Sequence, residues 1–175
     1  MTIQGTVAEQ QTLTILMSSD DMDRAFLVFM LANGARSMGM EVNIFFALWG
    51  VNLLRRGPGQ PGRGEGPPGK KKGFMEKMMG MMMPRGPKKT GISKMNFGGM
   101  GAAMMRSMMK QKGINSLPEL MNLSVDLGVR FTVCSMTLEM MGFSDQDLID
   151  LPNLGIGGVT SCLGDALNSR FFLVL

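Results

Sequence analysis

Residues Thr12 to Leu48, TLTILMSSDDMDRAFLVFMLANGARSMGMEVNIFFAL, decide the fold. TLTILMS (Thr12 to Ser18) is a short, β-prone apolar run of the length expected for a buried parallel strand. Ser19, Asp20 and Asp21 then supply capping oxygens and negative charge where a helix would begin. The helix is expected to run to Met38, with Gly39 as its left-handed stop. Its apolar positions go most of the way around, which predicts cover on more than one side, by the sheet and by another subunit. EVNIFFAL (Glu41 to Leu48) reads as the second strand, ended by Trp49 and Gly50, with a helix opening over Val51 to Arg56. Strand, helix and strand with tight connections make the βαβ unit of an α/β fold.

The pattern breaks at Gly57 and returns at Ser116. GPGQPGRGEGPPGKKKG (Gly57 to Gly73) is too rich in Pro and Gly for helix or strand and reads as a loop or tether. Two Met-rich basic pieces follow, FMEKMMGMMM (Phe74 to Met83) and KMNFGGMGAAMMRSMMK (Lys94 to Lys110), separated by PRGPKKTG, whose prolines forbid one continuous helix. Ser116 and Glu119 form a capping-box pattern for a helix closing at Gly128. RFTVC (Arg130 to Cys134) reads as a third strand and Ser135 to Met141 as a short helix stopped by Gly142. A turn from Ser144, a glycine-containing strand within Asn153 to Val159, a helix over Thr160 to Asn168 and a last strand over Arg170 to Leu175 complete the chain. The expectation is one α/β domain over residues 1–175, a three-layer α/β/α sandwich of about five mostly parallel strands. Residues 57–113 form a Met-rich helical or flexible insertion within it.

Composition removes several kinds of chemistry. The 175 residues contain no His and no Tyr. That excludes Ser-His-Asp and Cys-His catalysis, His-ligated metals and histidine pH switching. Two cysteines cannot build a disulfide framework and form no CxxC pair, which favours a reducing, cytoplasmic setting. Met1 to Gln11 lacks the basic start and apolar run of a signal peptide, and no apolar stretch reaches the roughly 18 residues of a membrane span. Charge is segregated: residues 55–112 hold 14 Lys and Arg against 2 Glu, while the flanks are net acidic. The middle segment therefore has its own partner or environment.

The 22 Met residues gather largely in that segment. Thioethers are soft ligands for copper(I), but Met more often fills irregular apolar contacts, and no His or Cys assists here. A basic amphipathic segment suits an acidic membrane surface or an acidic protein groove. Nucleic acid is disfavoured, since only Phe74 and Phe97 could serve as stacking readers. GEGPPGK (Gly64 to Lys70) has the spacing of a phosphate loop, yet Lys71 stands where Ser or Thr belongs and two prolines remove N–H donors. GIGGVT (Gly155 to Thr160) does not complete GxGxxG. No cofactor and no metal is expected.

Cys134 is the candidate catalytic residue. It stands where a central strand ends and a helix begins, and sites in open α/β sheets form at the carboxyl ends of strands. Unpaired backbone N–H groups there favour a thiolate, which should lower the thiol pKa, with Ser135 and Thr137 as further hydroxyl donors. The alternative is a packed structural cysteine, a common fate of free Cys. Cys162, just inside the helix after GIGGVTS, reads as a core cysteine, or as a resolving thiol if the two strand ends are adjacent.

Three stretches resemble the DsrE-like sulfurtransferases, in particular the branch with a Met-rich basic insertion: Ser18 to Arg56, Phe74 to Gly101 and Val133 to Phe143. The carrying motifs are FxxWGxxxLRR from Phe46, CSMxxxxMG from Cys134, and GIGGV from Gly155. The resemblance implies a small, often oligomeric α/β protein that accepts sulfane sulfur as a persulfide on Cys134 and relays it from donor to acceptor proteins. A Met-rich flap would shelter that persulfide. The competing reading is a noncatalytic membrane-surface or protein-binding adaptor that works through the basic insert. Cys162 lies outside these motifs and receives no role from the resemblance.

Overall fold

The computed structural model describes residues 11–57, 60, 78, 85–88, 90–94 and 97–175. The Pro/Gly-rich stretch and most of the first Met-rich piece lie outside the described residues.

Five strands form one sheet: β1 (Thr12–Met17), β2 (Glu41–Phe46), β3 (Arg130–Cys134), β4 (Leu154–Gly157) and β5 (Phe171–Val174), in the order β4-β3-β2-β1-β5. Every neighbouring pair is parallel. Among the described residues the α-helices are α1 (Met22–Ser37), α2 (Met100–Gln111), α3 (Leu117–Asp126), α4 (Ser135–Met141) and α5 (Val159–Leu167). Steps from β1 to β4 all move in one direction across the sheet, so right-handed crossovers put their helices on one face. The step from β4 to β5 runs back past β1, which sends α5 to the opposite face. The result is a three-layer α/β/α arrangement with unequal outer layers.

Burial follows that division. Ile15, Met17, Ile44, Phe46, Phe131 and Val133 point into a core shared with Ala25, Val28, Phe29 and Ala32 of α1 and Leu117, Leu120 and Met121 of α3. The Phe46 and Phe131 rings stack at 5.8 Å. Alternate strand residues face α5, where Phe45, Cys134 and Cys162 form a separate small cluster. A buried polar lock joins α1 to α3: Asn33 Nδ2 donates to the Leu120 carbonyl at 3.1 Å and Ser124 Oγ donates to Asn33 Oδ1 at 2.6 Å.

Local signals act largely as expected. The Ser116 N–H donates to Glu119 Oε2 at 2.6 Å, the capping-box contact that opens α3. Within the chain helix α1 buries one side, and Leu27, Met30 and Leu31 remain exposed. One expectation changes. β2 stops at Phe46 rather than Leu48, and Leu48–Leu54 forms a 3-10 helix. Leu48 leaves the strand at φ 48°, and Gly50 then presses so closely on β1 that an added Cβ would lie 2.3 Å from the Met17 carbonyl oxygen. Continuing the strand would forfeit that packing.

Candidate functional site

The direction reversal in the sheet creates a crevice. After β3 the chain turns into α4 on one face; after β4 it turns into α5 on the other. Adjacent parallel strands whose connections diverge in this way leave a gap at their carboxyl ends, where α/β proteins place ligands. Cys134 ends β3, pairs in register with Gly157 at the end of β4, and is the residue preceding α4. It therefore stands beside the unpaired amides of the first helical turn.

Cys134 is buried, with 3% of its surface exposed, against Phe45, Cys162 and the partly buried Leu16 and Ala47. Cys162, in the first turn of α5, is 2% exposed. Both thiols are free. The structure thus brings the two cysteines into one cluster, an arrangement that sequence alone left conditional on adjacent strand ends. Burial pushes the Cys162 thiol up, with Asp165 and Cys134 adding to the effect. Gly157 permits the close approach of α5. A Cβ there would meet Thr132 Cγ2 at 3.0 Å and Ser161 Oγ at 3.2 Å.

Thr137 is buried on α4, and its hydroxyl accepts the Leu48 N–H at 3.1 Å. This bond ties the loop after β2 to the turn that carries Cys134. The same loop contributes Ala47 to the cysteine cluster.

Sequence reasoning missed a second polar group, two of whose members, Asn52 and Arg55, lie in the FxxWGxxxLRR motif. Asn52 Nδ2 donates to Asp20 Oδ2 at 2.9 Å, and Arg55 reaches Asn52 Oδ1 at 3.4 Å. The Arg55 guanidinium lies 4.1 Å above the Phe143 ring. Burial raises the Asp20 pKa against the Asn52 hydrogen bond and lowers that of Arg55. The signal was available as two polar residues within a run destined for the core, Asn52 and Arg55.

A cavity of about 550 Å³ between α2 and α3, lined by Met22, Arg106, Lys110 and Leu117 among others, contains neither cysteine. One of about 320 Å³ lies at the opposite end of the strands, beside Thr12, Glu41 and Arg130. Both cysteines are nearly fully buried, so chemistry at Cys134 requires its cover to move. Among the described residues no group of three or more His, Cys, Asp or Glu is placed to hold a metal ion. No helix among them is long and apolar enough to cross a membrane.

Comparison with known proteins places these features in context. The model of the DsrE/DsrF/DrsH-like family matches residues 9–174. The chain is 40% identical over 153 residues to the uncharacterized protein YrkE of Bacillus subtilis, covering 87% of this chain and 89% of that one. It is 32% identical over 153 residues to the sulfur carrier protein DsrE2 of Allochromatium vinosum, covering 81% and 85%. Among solved structures it is similar in fold to MTH1491, a protein of unknown function from Methanobacterium thermoautotrophicum, with a TM-score of 0.51 and 15% identity. That likeness covers 95% of this chain and 100% of the other.

Proposed function

The chain belongs to the DsrE/DsrF/DrsH-like family, and from that premise we propose that it is a sulfur carrier loaded as a persulfide on Cys134. The observation that carries the proposal is the position of Cys134 at the β3–β4 divergence, next to a helix start and enclosed by Phe45, Leu16 and Ala47. The relative named as a sulfur carrier supports a role in sulfur relay.

The chemistry is thiol exchange without net oxidation. The Cys134 thiolate attacks the outer sulfur of a donor persulfide; the new S–S bond forms as the donor's bond breaks, and the donor leaves as a thiolate. Delivery repeats the step, with an acceptor thiolate attacking the outer sulfur and Cys134 leaving. The cycle therefore needs donor and acceptor proteins but no cofactor or metal. It belongs in a reducing compartment such as the cytoplasm, where free thiols persist. Enclosure keeps water and stray thiols away from the loaded sulfur, and the first-turn amides of α4 stabilise the negative charge left on Cys134 as sulfur departs. This is sulfurtransferase-like activity in which the protein is the carried intermediate's holder.

Incubation of the reduced protein with inorganic polysulfide, followed by intact mass measurement, tests the assignment. The wild type and Cys162→Ala should gain sulfur and return it to an added thiol; Cys134→Ser should gain none. Equal loading of Cys134→Ser removes the assignment.

A second reading rests on α2. Met100, Met104, Met105 and Met108 are exposed there beside Arg106 and Lys110, and only Gly101 and Ala102 are buried. Such a surface suits an anionic bilayer. Flotation with anionic but not zwitterionic vesicles supports it; no flotation with either removes it.

A further inference from the structure

Cys162 is a buried nucleophile that the carrier cycle leaves unused. It occupies the first turn of α5, whose N–H donates back to the Gly158 carbonyl at 3.4 Å, so the helix folds directly over the end of β4. Gly157 pairs with Cys134 in the sheet and, lacking a side chain, lets this turn pack against Thr132 on β3. Phe45 completes the cluster that holds both sulfurs. Two free thiols, brought by two different connections into one small apolar cluster, are the grounds for treating them as partners.

We propose that Cys162 is the resolving thiol of Cys134, closing a Cys134–Cys162 disulfide and expelling sulfide when a persulfide on Cys134 finds no acceptor. The proposal rests on the carrier reading for its substrate. In the step, the Cys162 thiolate attacks the inner sulfur, Sγ of Cys134. The Sγ–Sγ bond forms, the bond to the outer sulfur breaks, and that sulfur leaves with the electron pair as HS⁻. The sulfane sulfur is reduced by two electrons and the two cysteine sulfurs together lose two. An external dithiol then reduces the disulfide and restores both thiols. The pair acts as a discharge route that clears stalled sulfur.

The environment sets when this route runs. The charged and titratable groups facing Cys162 are Asp165 on its own helix, paired with Arg130 of β3 at 2.7 Å, and Cys134 itself. Burial and these neighbours keep Cys162 protonated at neutral pH, so the loaded sulfur is retained. Discharge accelerates with pH, approaching tenfold per unit while the thiolate is the minor form.

The test uses the full chain, loaded with inorganic polysulfide and freed of excess, in wild-type and Cys162→Ala forms of verified folding. Released sulfide and intact mass are followed near pH 7 and near pH 9. The wild type should convert from one added sulfur to a form lacking two hydrogens, with one sulfide released, faster at the higher pH. Cys162→Ala should keep its sulfur about tenfold longer at the higher pH. Equal sulfide release from the two proteins overturns the proposal. A parallel arm oxidises the unloaded wild type with diamide and maps peptides. A linked Cys134–Cys162 peptide supports the pairing even if no sulfur loads, in which case the carrier reading alone fails. Absence of that peptide overturns the pairing itself.

Discussion

The Thr137 hydroxyl accepts the backbone N–H of Leu48 at 3.1 Å, fastening the turn after β2 to the helix that begins beside Cys134. Leu48 holds a positive φ of 48°, a conformation a branched side chain adopts only when its surroundings require it. The two facts belong together: the hydrogen bond holds the strained residue, and the strained residue sets Ala47 over the cysteine cluster.

Replacing Thr137 with Val keeps the shape and removes the acceptor. The stability loss should be about 1 kcal/mol, since Leu48 is partly open to water. The more telling effect is at the site: alkylation of Cys134 by iodoacetamide should quicken several-fold as its cover loosens. An unchanged alkylation rate would show that this loop does not gate the thiol.

Gly50→Ala places a methyl group 2.3 Å from the Met17 carbonyl oxygen, a backbone atom of a central strand that has little room to yield. The expected cost is about 2–3 kcal/mol, read as a lowered urea midpoint. A midpoint equal to wild type would mean that the Leu48–Leu54 segment shifts freely on β1.

Asn33→Ala removes both halves of the α1–α3 lock. The Ser124 hydroxyl and the Leu120 carbonyl lose a buried partner, though Ser124 also donates to that carbonyl at 3.0 Å. The loss should be about 1–3 kcal/mol in denaturant titration. Sulfur loading of the folded fraction should be unaffected, because the lock lies on the sheet face away from Cys134.

Asp20 supplies a pH test. Burial raises its pKa in the folded state, outweighing the Asn52 hydrogen bond. Its contribution to stability is therefore fully present below the unfolded carboxylate pKa and is lost as pH rises through the higher folded value. Asp20→Asn can still accept from Asn52, so it should melt about 1–3 °C higher than wild type at neutral pH. The advantage should vanish as the pH falls below the ordinary carboxylate range. A lower melting temperature at neutral pH would show that the ionised carboxylate is net favourable there.

Much of this architecture was legible because its signals are local. The apolar runs at Thr12, Glu41 and Arg130 have strand length, Ser116 and Glu119 make their capping contacts, and Gly142 takes the left-handed φ of 65° expected of a helix stop. The alternation of these elements was enough to give a parallel sheet with helices on two faces. What escaped depends on tertiary contact. The end of β2 at Phe46 is set by Gly50 against Met17 and by Thr137 on Leu48, pairs separated by 33 and 89 positions in the chain. The strand-to-helix junction that carries Cys134 was readable. The company of Cys134 with Cys162 was not, because strand order decides which ends are adjacent.

The central claim is that sulfur resides on Cys134. Peptide mapping after transfer from a low-molecular-weight persulfide, with the outer sulfur isotopically labelled, tests it most directly. The label should appear on the peptide containing Cys134 and leave it on addition of an acceptor thiol. Label confined to the Cys162 peptide, or equal labelling of Cys134→Ser, would contradict the account.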